Sequence, residues 1–279
     1  MAAILRNEVD TMNTFELLSM KGKNVLITGG RAMYGLGATL ALADAGANIY
    51  LASHTVESAQ PLVEELRETK GVKATAIAFD LDDTLSIENL VKKVVDDAGR
   101  IDAFIHCSRI IPSGGTGIGW DEDPIKLEQN VRVNSASSLY LLQLVGEQMI
   151  KQKSGSIVVF GSMMGLIGVE KHNYDGNPQM TPGAYGHAYS VDKSGLSAWV
   201  RHAASYYGQY GVRINAVCPG GLQSERTNPL FAEKYSLHTQ IGRLANGDDI
   251  KGPILLLASD ASAYLTGLSI PVDGGYTCI

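Results

Sequence analysis

Strand-like and helix-like segments alternate along almost the whole chain. Short segments that are apolar on both faces and have the length of strands lie at residues 23–28, 48–52, 74–79, 101–107, 156–161, 212–217 and 268–272. Helical patterns lie between them, at residues 35–46, 56–69, 84–98, 124–151, 185–207 and 248–258. Strands that are apolar on both faces are typical of a parallel sheet covered by helices on both sides. The sequence therefore predicts an α/β fold, one doubly wound parallel sheet that binds ligands at the carboxyl ends of its strands.

Length, charge and cysteine usage limit the classes of protein to which this chain can belong. The chain has 279 residues and a formal net charge of −6, and a single α/β domain often runs to roughly 250 residues. The acidic balance disfavours nucleic acid and anionic membranes as partners, because both are bound by basic surfaces. No uncharged apolar stretch reaches the about 18 residues of a membrane span, and Cys107, Cys218 and Cys278 form no CxxC pair. We expect a soluble, cytoplasmic protein with reduced thiols.

A glycine-rich turn joins the first predicted strand to the first predicted helix, with the sequence TGGRAMYGLG over residues 28–37. Glycines let the backbone approach a pyrophosphate closely, and the amino end of a helix offers free N–H groups and a favourable dipole. An ordinary tight turn is the alternative interpretation, but the strand before it and the helix after it favour a nucleotide cofactor. The candidate phosphate-binding residues are Gly29, Tyr34, Gly35 and Leu36.

The end of the second predicted strand bears on which nicotinamide cofactor is bound. An acidic residue there would hold the ribose 2′-hydroxyl of NAD, but this chain has Ser53 followed by His54. Arg31, in the glycine-rich turn, could hold a 2′-phosphate with its planar guanidinium. The alternatives are a solvated Arg31 and a His54 that is only a surface residue. The charges favour NADP(H), with NAD(H) as the other cofactor that the site could take.

Tyr189 and Lys193 are four residues apart in a predicted helix, so both lie on one helix face. A free tyrosine has a pKa of about 10, which makes it a poor base at neutral pH. A neighbouring cation favours the phenolate and lowers that pKa. Tyr189 could then exchange a proton with a carbonyl or alcohol oxygen. Taken alone, the pair is equally consistent with two exposed side chains.

Two further polar residues support a catalytic site. Ser162 follows a predicted strand, so its hydroxyl would emerge at the carboxyl end of the sheet and could bind a developing oxyanion. Asn134 lies inside a helical segment, where asparagine is mildly unfavourable, which suggests a polar task such as holding a water in a proton relay. The simpler interpretations are a serine that begins a turn and a hydrogen-bonded helix asparagine.

Together these residues resemble the short-chain dehydrogenases/reductases of the roughly 250-residue branch. The resemblance runs from Lys21 nearly to the C-terminus, and it rests on Thr28–Gly37, Asp80-Leu81, Asn134, Ser162, Tyr189-x3-Lys193, Pro219-Gly220 and the segment 242–276. It implies a Rossmann-like fold with a seven-stranded sheet at residues 21–279, after an N-terminal extension at 1–20. It also implies hydride transfer between a nicotinamide cofactor and a carbonyl or alcohol.

The resemblance also implies roles for individual residues. Asn134, Ser162, Tyr189 and Lys193 would form the catalytic tetrad, with Tyr189 and Lys193 also touching the cofactor. Further cofactor contacts would come from Asp80 and Leu81 at the adenine, from the backbone at Cys107 and Ser108, and from Pro219, Gly220, Leu222 and Ser224 near the nicotinamide. Family members are usually tetramers or dimers that use the helices carrying Asn134 and Tyr189, and we expect a homotetramer or homodimer here.

The chain departs from the family pattern in three places. Five residues instead of three separate Gly29 from Gly35 in the glycine-rich turn. The family's usual Asn-Asn-Ala-Gly after the fourth strand is replaced by the four residues His106 to Arg109, which puts a large cation where a glycine is usual. Ser162 and Tyr189 are 27 residues apart, about twice the usual separation. Two stretches, 163–184 and 220–242, are long for loops and follow strand ends, so we expect both to border the site.

The extra residues before Tyr189 are polar and aromatic, and they include Lys171, His172, Tyr174, Asp175 and Asn177. In this they resemble members that act on sugars or sugar acids, such as the gluconate 5-dehydrogenase-like group, although solvated loop residues would look the same. The sequence therefore predicts an NADP(H)-dependent oxidoreductase that interconverts a ketone and a secondary alcohol on a small sugar, sugar acid or polyol.

Two other functions remain open at this point. Reduction of a 3-oxoacyl thioester on an acyl carrier protein would need a basic surface for the acidic carrier, and no clear basic cluster is present. A catalytically silent cofactor-binding or scaffold protein would explain the altered glycine-rich turn, but it would not need the complete tetrad. The histidines and cysteines show no metal-ligand spacing, so we expect no metal.

Overall fold

Seven parallel strands form the central sheet in the computed structural model, which describes residues 12–111, 117–118, 121–176 and 187–279. In chain order they are β1 (Asn24–Thr28), β2 (Asn48–Ser53), β3 (Ala74–Ala78), β4 (Ala103–His106), β7 (Gly155–Phe160), β8 (Val212–Pro219) and β9 (Ser269–Val272); a separate antiparallel hairpin pairs β5 (Gly117–Ile118) with β6 (Asp121–Glu122). The spatial order is β3-β2-β1-β4-β7-β8-β9. The order reverses between β1 and β4, and this switch point opens the crevice in which such sheets bind ligands.

Helices cover both faces of this sheet, as the apolar pattern predicts. They are α1 (Thr14–Leu17), α2 (Met33–Asp44), α3 (Val56–Lys70), α4 (Thr84–Ala98), α5 (Pro124–Val131), α6 (Ser138–Gln152), α7 (His187–Tyr207), α8 (Pro229–His238) and α9 (Lys251–Ala258). One core lies between the sheet and α2, α3 and α9, with Ile27 buried in it. The other lies between the sheet and α4, α6 and α7, with Leu26 buried in it. Successive β1 side chains point to opposite faces, so both faces need apolar residues, and the predicted doubly wound Rossmann-like fold is confirmed.

Both of the predicted long loops contain helices. The predicted loop at 220–242 contains α8, whose first turn is capped because the Asn228 side chain accepts from the amides of Leu230 (2.9 Å) and Phe231 (3.3 Å). The predicted long loop at 163–184 contains two short 3-10 helices, Met163–Gly165 and Lys171–Asn173. Residues 177–184, including Asn177, lie outside the described residues.

The predicted helix at 124–151 is interrupted by a π-helical segment. Helix α5 ends at Val131, residues Arg132–Ser137 form the π segment, and α6 continues from Ser138. Single-turn π segments within α-helices are rare and occur frequently at functional sites. This one contains the buried Asn134.

No helix within the described ranges combines the length and the apolar character needed to cross a bilayer.

Candidate active site

The glycine-rich turn forms a backbone cradle against the end of β4. Gly29 adopts a positive φ of 71°, and a Cβ added there would lie 2.7 Å from the backbone at Cys107 and Ser108. A Cβ on Gly35 would overlap the carbonyl of Gly29. Side chains are therefore excluded where the turn passes the sheet, as backbone binding of a pyrophosphate requires.

Helix α2 begins at Met33, two residues before the predicted start, and its N-cap residue Ala32 makes no side-chain cap hydrogen bond. The amides of the first helical turn have no carbonyl partner within the helix. The Leu36 amide already donates to the Ala32 carbonyl at 3.1 Å, so the amides left for a phosphate are those of earlier residues. The turn and the helix end thus fit the pyrophosphate of a dinucleotide, with Leu36 in a lesser role than the sequence suggests.

Tyr34 connects the glycine-rich turn to the far part of the predicted cofactor site. Its hydroxyl donates to the carbonyl of Gly220 at 3.1 Å, directly after the buried Pro219 that ends β8. Beyond Gly220, Leu222 pairs with Ala245 in an isolated parallel bridge. Ser224 is half-buried, and its amide donates to Thr227 Oγ1 at 2.8 Å. The residues predicted near the pyrophosphate and near the nicotinamide are therefore joined by a direct contact.

Arg31 lies at the amino end of α3, beside the residue that ends β2. Its Nη1 donates to the carbonyl of Ser58 at 2.7 Å, and the Ser58 and Ser53 hydroxyls are 2.8 Å apart. His54 is exposed. A guanidinium and two hydroxyls, with no ion pair between Arg31 and a carboxylate among the described residues, suit a 2′-phosphate better than a bare 2′-hydroxyl.

The two residues predicted at the adenine differ in burial. Asp80 is half-buried, and its Oδ1 accepts from the Asp82 amide at 2.9 Å. The Leu81 side chain is 2% exposed and packs in the core with Phe79. Leu81 can therefore offer its backbone to a ligand, while its side chain supports the end of β3.

Tyr189 and Ser162 meet at the carboxyl end of β7, although 27 residues separate them in the sequence. Burial raises the pKa of Tyr189, while its hydrogen bond with Ser162 and the positive charge of Arg109 act in the opposite direction. The Ser162 hydroxyl also accepts from the Met164 amide at 3.1 Å, which fixes its position. The two hydroxyls thus form a proton donor-acceptor pair at the switch-point edge of the sheet.

Lys193 lies one helical turn after Tyr189, and its Nζ donates to the carbonyl of Phe160 at 2.7 Å. This hydrogen bond holds the ammonium against the last residue of β7, close to the site. Burial lowers the pKa of Lys193 to about 8.

Asn134 uses its side chain to clamp the backbone after β4. Its Nδ2 donates to the Ile110 carbonyl at 2.7 Å, and its Oδ1 accepts from the Ile110 amide at 2.8 Å. Its Nδ2 also lies 3.0 Å from Asn130 Oδ1. The amide side chain is thus fully used in shaping the segment that carries Arg109.

A buried polar cluster next to Tyr189 was not predicted from the sequence. The Asp192 carboxylate accepts from Asn130 Nδ2 at 2.6 Å and from the Ser135 hydroxyl at 2.9 Å, and it lies 3.9 Å from Arg109 Nη2. Glu122 accepts from the Ala188 amide at 3.1 Å, at the start of α7. One signal was available: an aspartate next to Lys193, on a helix predicted to pack on the sheet, needs a partner if it is buried.

His106 is the last residue of β4, and Cys107 follows it next to the candidate active site. The His106 ring lies 2.9 Å from the Thr28 hydroxyl through Nδ1 and 3.0 Å from the Ser138 hydroxyl through Nε2. Burial lowers the pKa of His106 to about 3 and raises the pKa of Cys107 to about 11. Both side chains are therefore uncharged at neutral pH, and His106 ties β1, β4 and α6 together.

Comparison with known proteins places this site in a family. A family model described as enoyl-(acyl carrier protein) reductase matches residues 32–277. The L-rhamnose 1-dehydrogenase (NAD(P)(+)) of Sphingomonas sp. (strain SKA58) is 30% identical over 92% of this chain and 96% of its own length. The NADP-dependent mannitol dehydrogenase of Hypocrea jecorina is 31% identical over 94% of this chain and 95% of its own length. The crystal structure of gox2181 is 29% identical, with a TM-score of 0.84 over 96% of this chain and 100% of that chain.

These matches run almost from end to end, and the family model spans Asn134, Ser162, Tyr189 and Lys193. The sheet order, the glycine cradle and the serine-tyrosine pair agree with them. The chain belongs to the short-chain dehydrogenase/reductase family of NAD(P)-dependent oxidoreductases.

Proposed function

We propose that this protein is an NADP(H)-dependent dehydrogenase/reductase that interconverts a ketone and a secondary alcohol on a small polyhydroxylated substrate. The observation that carries the proposal is the Ser162–Tyr189 hydroxyl pair at the carboxyl end of β7. The ammonium of the buried Lys193 lies on the carbonyl of Phe160, two residues before Ser162. The glycine cradle, the open amino end of α2 and the Arg31 cluster would hold NADP(H). When bound, the nicotinamide supplies or accepts the hydride.

We assign a role to each member of the predicted tetrad. Tyr189 donates a proton to the substrate oxygen in reduction and accepts it in oxidation, as a general acid and base. Ser162 donates a hydrogen bond to the same oxygen and stabilises its developing negative charge. Lys193 adds positive charge that favours the Tyr189 phenolate. Asn134 shapes the backbone at Ile110 with its side chain.

Unsatisfied polar atoms near Tyr189 support a hydroxylated substrate. Arg109 Nε and Glu122 Oε1 are buried and have no hydrogen-bond partner among the described residues. Such atoms are costly unless a ligand or water pairs with them. Hydroxyl groups both donate and accept, so one substrate can satisfy the donor on Arg109 and the acceptor on Glu122. The similar rhamnose and mannitol dehydrogenases carry names of the same substrate class.

The first test is the rate of NADPH and NADH oxidation with a panel of keto-sugars, keto-sugar acids, simple diketones and an acetoacetyl thioester. Turnover of a keto-sugar or keto-sugar acid with NADPH is the expected result. Turnover of the thioester alone would replace the proposal with acyl-carrier reduction. Tight NADPH binding without turnover of any panel member would favour the silent cofactor binder.

Replacing Arg31 by Ala should weaken NADPH binding by about tenfold to hundredfold, because hydrogen bonds to a charged group contribute about 1.5–3 kcal/mol. NADH lacks the 2′-phosphate, so its affinity should change little and serves as the matched control. Fluorescence titration of both cofactors against the wild type and Arg31→Ala measures the difference. An equal loss for NADPH and NADH would show that Arg31 supports the turn and does not read the phosphate.

We also propose that the protein is a cytoplasmic homotetramer or homodimer that assembles through the helices carrying Asn134 and Tyr189. Val191 and Tyr206 on α7 are each 53% exposed, which leaves apolar surface for a partner. Cys107, Cys218 and Cys278 are free thiols, as is usual in a reducing compartment. Light scattering should give two or four times the 29.8 kDa chain mass, and a monomeric mass would contradict this assembly.

A further inference from the structure

Arg109 lies over the ring of Tyr189. Its guanidinium carbon is 4.9 Å from the ring centroid, which is within the range of a cation–π contact. This cation stands where the family pattern has a glycine, so it is an addition of this chain. A positive charge over an aromatic ring attracts the phenolate more strongly than the neutral phenol, because the ionised ring carries more negative charge.

The position of Arg109 is fixed by the buried cluster beneath it. Arg109 Nη2 donates to Asn130 Oδ1 at 3.3 Å and lies 3.9 Å from Asp192 Oδ2. Asp192 is itself held by Asn130 and Ser135, and its side chain is only 2% exposed. A fixed charge in a poorly solvated place acts on its neighbours more strongly than a mobile surface charge. The cluster therefore keeps the guanidinium over the tyrosine at a defined separation.

Several other groups act on Tyr189 from the elements packed around it. Ser162, after β7, hydrogen-bonds its hydroxyl, and Asp192 and Cys107 oppose its ionisation. Lys193 lies on the same helix, with its ammonium on the Phe160 carbonyl. Tyr34 on α2 and Tyr235 on α8 also interact electrostatically with it, and burial raises the pKa of both, so they stay neutral. Glu122 acts indirectly, through its attraction to Arg109.

We propose that Arg109 is a second cation for Tyr189, an electrostatic positioning residue that stabilises the phenolate through the ring and is anchored by Asp192. Burial and the nearby Asp192 work against the phenolate, and Arg109 opposes them. Arg109 and Asp192 thus act together. The aspartate holds the arginine in place, and the arginine acts on the tyrosine.

The test is an absorbance titration of the tyrosine phenolate, which needs no substrate. The Tyr189 signal is the wild-type titration minus that of Tyr189→Phe, and the same subtraction is made in the Arg109→Met background. We expect the midpoint to rise by about one pH unit in Arg109→Met, the size of effect that a neighbouring charge produces. Arg109→Lys should stay closer to the wild type. Arg109→Gln is a second neutral variant if Arg109→Met does not fold, as judged by circular dichroism.

Arg100→Met is the matched control, because Arg100 lies before the amino end of β4, at the opposite edge of the sheet, and pairs with Asp102. Its loss removes a guanidinium without touching Tyr189, so the midpoint should not move. With a substrate from the panel, the pH profile of alcohol oxidation should shift in the same direction as the absorbance midpoint. The proposal would be overturned if the wild-type midpoint were no lower than the midpoints of the folded neutral variants. It would also be overturned if neither the wild type nor these variants gave a Tyr189 signal.

Discussion

Replacing Tyr189 by Phe should lower turnover by about 10²–10⁴-fold, the usual contribution of a positioned general acid or base. The change removes only the hydroxyl that Ser162 binds and leaves the ring under Arg109. The cradle at Gly29 and the Arg31 cluster are untouched, so NADPH binding should stay largely intact. Steady-state kinetics with a panel substrate and a separate NADPH titration measure the two effects.

Tyr264→Phe is the matched control for this variant. Tyr264 lies between α9 and β9, before the amino end of that strand, and it is 100% exposed. Its loss of a hydroxyl should leave turnover unchanged. Undiminished turnover in Tyr189→Phe would remove the mechanism, whereas loss of both turnover and NADPH binding would assign Tyr189 to the structure of the site.

Acidification should destabilise the protein through His106. Burial holds the pKa of His106 at about 3 in the folded state, against about 6.5 in an unfolded chain. The unfolded chain therefore binds a proton below pH 6.5 that the folded protein excludes. The free energy of unfolding then falls by about 1.4 kcal/mol per pH unit between pH 6.5 and 3, and this contribution is fully present above pH 6.5.

The measurement is urea unfolding at pH 7.5 and at pH 5.0 in the wild type and in His106→Asn. The wild type should lose about 2 kcal/mol more than the variant over this interval, because the variant has no imidazole to protonate. His202→Asn changes an exposed histidine on α7 and should keep the wild-type dependence. Equal pH dependence in wild type and His106→Asn would mean that the folded protein accepts the proton at His106.

Most strands and helices could be predicted because they bury apolar side chains in one of the two cores. Helix α4 has the predicted bounds, Thr84–Ala98, since Asp83 caps its first turn and Gly99 ends it. Helix α8 was missed because its ten residues include only one buried side chain, Tyr235, and so show no apolar stripe. The Asn228-Pro229 pair was the available signal, since asparagine caps helices and proline suits the first turn.

The candidate site was predictable where residue type and spacing carry the chemistry. Tyr189 and Lys193 share a helix face, and Ser162 follows a strand, so their meeting at the sheet edge follows from the fold. The place of Arg109 did not follow, because it depends on side-chain packing between a loop and two helices. Asp192 is 83 residues from Arg109 in the chain, and no local pattern links a loop arginine to a helix aspartate.

The π segment at Arg132–Ser137 fixes the direction of Asn134 relative to the core-facing side chains of α6. Each residue of an α-helix turns the chain by about 100°, and a π turn holds one residue more than an α turn. Asn134 faces Ile110 from within this segment, and Leu141 and Val145 of α6 face the core after it. A deletion of one residue here would restore a regular helix, but it would rotate the residues before the deletion relative to the residues after it. Apart from Asn134 and Ser135, which make contacts in the site, this stretch should therefore tolerate substitutions in homologues far better than a change in its length.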